Sequence, residues 1–239
     1  MFDIRSNEPE RIDTGDYTPE EYKRFLKEIA FINRYLGDKR ALRQTLLDEI
    51  ERCDLRDFSV LDVGCGSGEL LRMIAEFARD SKRTATLTGL DLNPISSETT
   101  QSESREFDEI VSVQGDALRL PFSDDSFDFA ISSLFFHHLT DEQIVVALSE
   151  MSRVARRGIV VIDLHRDPVA YVGYKLFCFA FRISELVRHD GSLSIKKGFK
   201  PEELRRLGVS SGLDSSVAGH VSPGRVILQA DLSRQISIS

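Results

Sequence analysis

The chain has 239 residues, 41% of them hydrophobic and 29% charged, a balance that suits one large domain, or one with a small accessory lobe, and excludes disordered and fibrous chains. Its 31 Lys+Arg against 39 Asp+Glu leave a formal net charge of -8, which repels phosphate backbones and argues against nucleic-acid binding. Cys53, Cys65 and Cys178 form neither a CxxC pair nor a zinc-spaced cluster with histidine, so no metal is expected and reduced thiols in a cytosolic compartment are. The N-terminus has no apolar signal-peptide core, and the longest apolar-rich run, 169–181, contains Lys175. A spanning helix needs about 20 residues, so a cytoplasmic protein without a transmembrane segment is expected.

Residues 1–17 are charged and aperiodic and read as a loosely held arm. Thr18-Pro19-Glu20-Glu21 reads as a helix start, with Thr18 as cap and Glu21 reaching back to it. Tyr22, Phe25, Leu26, Ile29, Ile32 and Leu36 continue at helical spacing. A second helix is predicted from Leu42 to about Cys53. Residues 1–57 thus read as an N-terminal helical cap, and 58–239 as the main domain.

From Ser59 strands alternate with helices. Strands are predicted at 59–63, 84–90, 109–113, 127–132 and 158–164, with a capped helix opening at Thr140-Asp141-Glu142-Gln143. This rhythm predicts a doubly wound, mainly parallel α/β sheet. It breaks at about 165–198, an aromatic-rich insertion with a polar stretch at 188–192. Two closing strands, 212–219 and 226–232, are joined by Ser222-Pro223-Gly224 in a hairpin pattern.

Val60-Leu61-Asp62-Val63-Gly64-Cys65-Gly66-Ser67-Gly68 is a strand, a glycine turn and a helix start. Glycines there let a ligand approach the backbone closely. The dinucleotide fingerprint G-x-G-x-x-G is not met, since Glu69 stands where its third glycine would be. A carboxylate beside a pyrophosphate is unfavourable, which disfavours an NAD-dependent oxidoreductase. Asp91 ends the second strand, where an acid can accept from both ribose hydroxyls of an adenosine. Asp116, in Gly115-Asp116-Ala117 after the third strand, can accept from an exocyclic amine. Each of these residues could alone be an ordinary turn residue, and Asp62 a helix cap; it is the ordered set that is specific.

That set, with Leu120-Pro121-Phe122-Ser123-Asp124-Asp125-Ser126-Phe127-Asp128 and Ser132-Ser133-Leu134-Phe135-Phe136-His137-His138-Leu139, resembles the class I S-adenosylmethionine-dependent methyltransferases. The similarity is greatest to the small-molecule branch that includes ubiquinone/menaquinone C-methyltransferase-like enzymes, and it spans about residues 58–164. The resemblance implies a seven-stranded sheet of order 3-2-1-4-5-7-6 with the last strand antiparallel, and S-adenosyl-L-methionine as cofactor. It implies that Asp62 and the glycines Gly64, Gly66 and Gly68 surround the methionine moiety, with Cys65 among the cofactor-binding residues. It also puts Asp91 at the ribose and Asp116 with Ala117 at the adenine, with Leu92, Gly115 and Ser132 as further cofactor-binding candidates.

An acceptor hydroxyl or acidic C–H needs a base. His137, His138 and His165 follow strand ends, where such sheets open onto ligands; His138 and His137 are the candidates, with a purely structural loop-bridging role as the alternative. Amino-methyltransferases often carry Asn/Asp-Pro-Pro-Tyr/Phe after strand four, and here Ser132-Ser133-Leu134-Phe135 stands instead. An oxygen or carbon of a small apolar or phenolic/quinone-like metabolite is therefore the expected acceptor, with a non-catalytic methyltransferase-like binding protein as the rival. Residues 165–198 are expected to form a substrate lid. Tyr171, Tyr174, Phe177, Phe179 and Phe181 either line its pocket or pack against the N-terminal helices. Peripheral contact of this basic, aromatic stretch with a membrane is the lesser reading, a solvated rim the commoner one.

Overall fold

The computed structural model describes residues 2–232. Seven strands form one sheet: β1 (Asp57–Val63), β2 (Thr84–Asp91), β3 (Ile110–Gln114), β4 (Phe127–Ser133), β5 (Ala155–Leu164), β6 (Val217–Val221) and β7 (Arg225–Asp231). Their order is β3-β2-β1-β4-β5-β7-β6, as the resemblance implied. The first five run parallel, and β7 runs antiparallel to both β5 and β6. The hairpin β6–β7 starts later than the sequence pattern suggests, because 212–216 turn before joining the sheet.

Period-two alternation assigns the central strands to two cores. Leu61, Ala130, Ile159 and Val161 face one side, packed by α7 (Asp141–Val154) and α10 (Pro201–Ser210). Val60, Phe129, Ile131, Val160 and Ile162 face the other, packed by α5 (Glu69–Asp80). Covered on both faces, β4 and the middle of β5 have no need of polar outward residues, which explains their near-continuous apolar runs. Helix α6 (Pro94–Glu103) packs beside β2 and β3.

Upstream lie α1 (Arg11–Thr14), α2 (Pro19–Tyr35), α3 (Asp38–Leu42), a π-helical stretch at Arg43–Leu47, and α4 (Asp48–Arg52). Thr18 caps α2 as its sequence suggests: Glu21 N donates to Thr18 Oγ1, and Thr18 N donates to Glu21 Oε2. The second helical segment begins earlier than apolar spacing indicated, at Asp38. Its Ala41, Leu42, Leu46 and Ile50 are fully buried in the same core as Val60.

Residues 2–17 are not a loosely held arm, because Arg166 and an Arg5 ion pair clamp them. Arg166, 2% exposed, donates to Phe2 O and Asp3 O while paired with Glu203 at 2.6 Å. Arg5 reaches Asp141 at 2.6 Å and lies over the Phe199 ring. The insertion at 165–198 folds as α8 (Pro168–Ala180) and α9 (Glu185–Lys197). The polar stretch 188–192 lies inside α9, where buried Asp190 accepts from Arg11 N and Ile12 N and so fixes the start of α1. Gly191 is dictated by a close approach: a Cβ there would lie 2.0 Å from the Tyr174 hydroxyl, which donates to Val187 O.

Candidate functional site

A cavity of about 1990 Å³ opens over the C-terminal ends of β1, β2, β3 and β4, where open α/β sheets bind ligands. The arm, α2 and the tip of α10 close it from above. Single small-molecule pockets occupy about 300–1,000 Å³, so two ligands fit side by side.

The half over β1 and β2 is shaped by backbone. Gly64, Gly66 and Gly68 all have left-handed φ (76°, 55° and 75°), a region that side chains other than glycine rarely adopt. A Cβ on Gly64 would meet the Phe135 ring at 2.5 Å. Gly64 N and Cys65 N donate to Leu90 O, tying the turn to β2. Asp91 then holds both loops: Gly66 N donates to its Oδ2 and Asn93 N to its Oδ1, each at 2.9 Å. Burial raises the Asp91 pKa, although these N–H groups offset part of that.

Asp62 lies beneath the turn, 2% exposed, with no hydrogen-bond partner for Oδ1. Burial, then the nearby Asp91 charge, pushes its carboxyl up to about 7. The turn's helix is α5, whose N-cap is Gly68 without a side-chain bond, so Asp62 does not cap it. A buried carboxylate oxygen without a donor is costly unless a cation or donor arrives. Cys65 lines the wall, and burial raises its thiol well above the ordinary range. It is therefore a packing group rather than a nucleophile.

Gly115, Asp116, Ala117 and the exposed Leu92 share the cavity wall. Gly115 N donates to Asp91 O, and Leu118 N donates to Asp116 Oδ1. Ser132 and Gly68 are not brought to the wall. The Ser132 hydroxyl donates to Val63 O within the sheet, and Gly68 backs onto Thr100. Both support the turn from behind. Sequence reasoning missed the roof: Tyr17 accepts from Asn93 Nδ2 at 3.0 Å and stacks on Tyr22, whose hydroxyl meets Ser96. The helical spacing of α2 marked Tyr22 as inward, but Tyr17 carries no such signal.

The other half is built from side chains. His137 is 3% exposed, and both its backbone N and its Nδ1 lie on the Asp163 carboxylate, Nδ1 at 2.7 Å. Burial opposes ionisation of Asp163, yet His137 and the Leu164 N–H hold its pKa below the usual range. An ionised Asp163 only accepts, so His137 Nδ1 carries the proton in this bond and Nε2 is the remaining nitrogen. His138 places Nδ1 2.7 Å from Asp13 Oδ1. Burial works against charge on His138, but Asp13 and Glu10 outweigh it and raise its pKa. Burial likewise raises Asp13, and its bonds to His138 and Lys197 overcome that and hold it low.

Glu10, His137 and His138 bring ligand atoms within 4.8 Å of one another, a set that could hold a metal ion. Lys197 Nζ lies 3.2 Å from Glu10 Oε1 and 2.9 Å from Asp13 Oδ2, so a cation already answers these carboxylates. Neither Glu10, Asp13, Asp163 nor Lys197 belongs to a recognisable motif. Leu134, beside them, has φ of 52°, a strained conformation for a leucine of the kind that concentrates at ligand sites.

His165 is not brought to the cavity: its ring packs on His220 at 4.7 Å. Nor do Tyr171, Tyr174, Phe177, Phe179 and Phe181 line it. Phe177 and Phe181 pack instead against Phe31 of α2 and Tyr171 and Tyr174 join the same apolar cluster, whereas Phe179 is exposed and does neither.

Sheet order, glycine turn and the acids that end β1 and β2 define a class I S-adenosylmethionine-dependent methyltransferase domain, and residues 60–158 match the model of a family described as a methyltransferase domain. Among named relatives, the chain is 25% identical over 183 residues to demethylmenaquinone methyltransferase of Staphylococcus aureus (strain MRSA252), covering 76% of this chain and 71% of that protein. It is 27% identical over 123 residues to the Bacillus licheniformis protein of the same name, covering 52% of this chain and 51% of that one, so it spans only about half the length of that relative. A solved S-adenosylmethionine-dependent methyltransferase from Aquifex aeolicus shares the fold with a TM-score of 0.58 at 15% identity, over 90% of this chain and 99% of that one.

The site fits that cofactor. S-adenosylmethionine carries an ammonium and a sulfonium, and the orphaned, buried Asp62 carboxyl and the half-buried Asp91 carboxylate are acidic groups of the cavity's cofactor half that could answer them. The glycine turn leaves room against the backbone where the methionine portion would pass. The dinucleotide oxidoreductase reading therefore falls. Among the described residues, no helix is long and apolar enough to cross a membrane.

Proposed function

We propose that the protein methylates an oxygen or carbon atom of a small apolar, phenolic or quinone-like molecule. Bound S-adenosylmethionine supplies an activated methyl electrophile. The chain's own task is to hold the acceptor in line and deal with its proton. The observation that carries this reading is the His137–Asp163 pair at the cavity wall. Asp163 fixes the imidazole through Nδ1, which leaves Nε2 free to take a proton from a hydroxyl or an acidic C–H. His138, held by Asp13 and raised in proton affinity, is suited to stand beside a developing oxyanion.

Phe25, Leu26 and Ile29 of α2 and Leu207 of α10 supply apolar wall for an acceptor ring. The lack of an Asn/Asp-Pro-Pro-Tyr/Phe block after β4 speaks against an amine acceptor. Similarity to demethylmenaquinone methyltransferases supports a ring carbon as one target.

The test is transfer of labelled methyl from S-adenosylmethionine to a panel of quinols, phenols, amines and nucleobases. Transfer confined to quinols or phenols, abolished by His137→Asn, is expected. Transfer to amines alone would overturn the acceptor class. No transfer to any acceptor, with S-adenosylhomocysteine still bound, would favour a non-catalytic binding protein.

A further inference from the structure

Helix α8 has an outer face unlike the rest of the surface. Val169, Val172, Leu176 and Phe179 recur at spacings of three and four, so they form one stripe along the helix. All four are exposed, Val169 at 79% and Phe179 at 82%. No aspartate or glutamate occurs in 168–180, and Lys175 is the helix's one charged residue. The face is extended sideways by Phe181 after α8, and by Phe31 and Tyr35 on the neighbouring α2, all three exposed and packed ring against ring. An isolated exposed apolar residue is ordinary, whereas a contiguous patch on a chain of net charge -8 marks an interaction surface.

The charges around this patch choose the partner. Lys175 and Arg182 are exposed on it, and Lys27 lies one helical turn before Phe31 on the same side of α2. The acids nearby are mostly engaged. Glu28 pairs with Arg24 and accepts from Ser184, and Asp167 accepts from Val169 N and Ala170 N at the start of α8. Glu185 is the exposed acid on the adjoining turn. An apolar helical stripe bordered by cations, on an otherwise acidic protein, matches a bilayer with anionic headgroups. Such helices lie in the interface plane with the apolar face about 5–10 Å deep and the cations at headgroup level.

We propose that the outer face of α8, with Phe181, Phe31 and Tyr35, docks the protein on an anionic membrane surface. The same α2 that contributes Phe31 and Tyr35 to this face lines the cavity with Phe25 and Ile29, which pack with α8 in one apolar cluster. Docking would therefore bring the wall of the acceptor cavity next to the lipid. Lipid binding is read without turnover, so it stands or falls separately from the proposed acceptor.

The experiment is co-sedimentation of the full chain with vesicles of phosphatidylcholine alone and of phosphatidylcholine mixed with phosphatidylglycerol. Binding to the mixed vesicles is expected, weakening as salt is raised. It should fall at least about tenfold in the exposed-site double variant Leu176→Glu/Phe179→Glu, since two negative charges on the apolar face weaken both terms of the attraction. Val217→Glu, on the edge strand β6 and also exposed, should bind as the wild type does. S-adenosylhomocysteine binding by each variant reports that it is folded. Failure of the folded wild type to bind mixed vesicles would overturn the proposal, as would undiminished binding by the folded double variant. So would wild-type dimerisation that the double variant abolishes, without vesicle binding, because the face would then belong to a second copy.

Discussion

The two halves of the cavity are made of different material. Over β1 and β2 the walls are backbone: a glycine turn, N–H groups bonded to Asp91, and carbonyls shared between neighbouring strands. Toward β5 and α9 the walls are ionisable side chains joined across the chain. His138 meets Asp13 at a separation of 125 residues, and Lys197 meets it at 184. A backbone cradle is fixed by local conformation and recognises one ligand shape. A side-chain network can be re-specified by single substitutions, and so is where the acceptor and the chemistry are decided.

The largest expected effect breaks the acceptor half alone. His137→Asn should lower turnover on the order of a thousandfold, in the range for loss of a general base, with S-adenosylhomocysteine affinity unchanged by calorimetry. Equal turnover in the variant would leave His137 structural. Asp91→Ala should do the converse, weakening S-adenosylhomocysteine binding about a hundredfold. It removes hydrogen bonds to a charged acceptor worth about 1.5–3 kcal/mol each and releases Gly66 N and Asn93 N. Unchanged affinity would take Asp91 out of the site.

Asp62→Asn sharpens the contrast through pH. The folded carboxyl is raised to about 7, so the native state binds the proton more tightly than the unfolded chain. Without cofactor, stability should fall as pH rises from the ordinary carboxylate range to about 7, by about 1.4 kcal/mol per unit at most, and then level off. Thermal unfolding of the Asn variant should lose this slope, while its cofactor affinity falls about tenfold. A wild-type protein with no such slope would show that Asp62 is already answered.

The smallest effect concerns the arm. His138 is raised, so its contribution is complete below the ordinary histidine value of about 6.5 and is lost as pH rises through the folded value. Asp13 is lowered, so its contribution is present above the ordinary carboxylate value and is lost only in acid. Limited proteolysis within residues 2–17 should accelerate severalfold as pH rises through the folded His138 value, with Glu10, Asp13, Lys197 and His137 around the imidazole. A flat profile would mean that Arg166 and Arg5 alone hold the arm.

The cofactor half was legible because backbone geometry restricts residue type. A turn with φ of 76° at Gly64 and a Cβ position filled by Phe135 admits glycine and little else, so the pattern survives in sequence. Strand alternation and the capping pairs Thr18/Glu21 and Thr140/Gln143 are local in the same way. The histidines were legible as candidates by their place after β4, but their roles were not. Nothing around Asp163 or Asp13 in sequence marks either as an imidazole partner, and His165 also follows a strand end yet packs its ring on His220.

The sequence by itself determined the strands, the glycine turn and the acids at the ends of β1 and β2, because each is imposed by conformation within a few residues, and the resemblance that this ordered set carries implied the sheet order and the cofactor. Only the tertiary structure decided which histidines line the cavity and that the arm up to Tyr17 forms its roof. It also decided that the aromatic run of α8 turns away from the site, leaving one face against α2 and the other bare. Those outcomes depend on contacts between segments far apart in the chain, and such contacts leave no periodicity for a sequence to display.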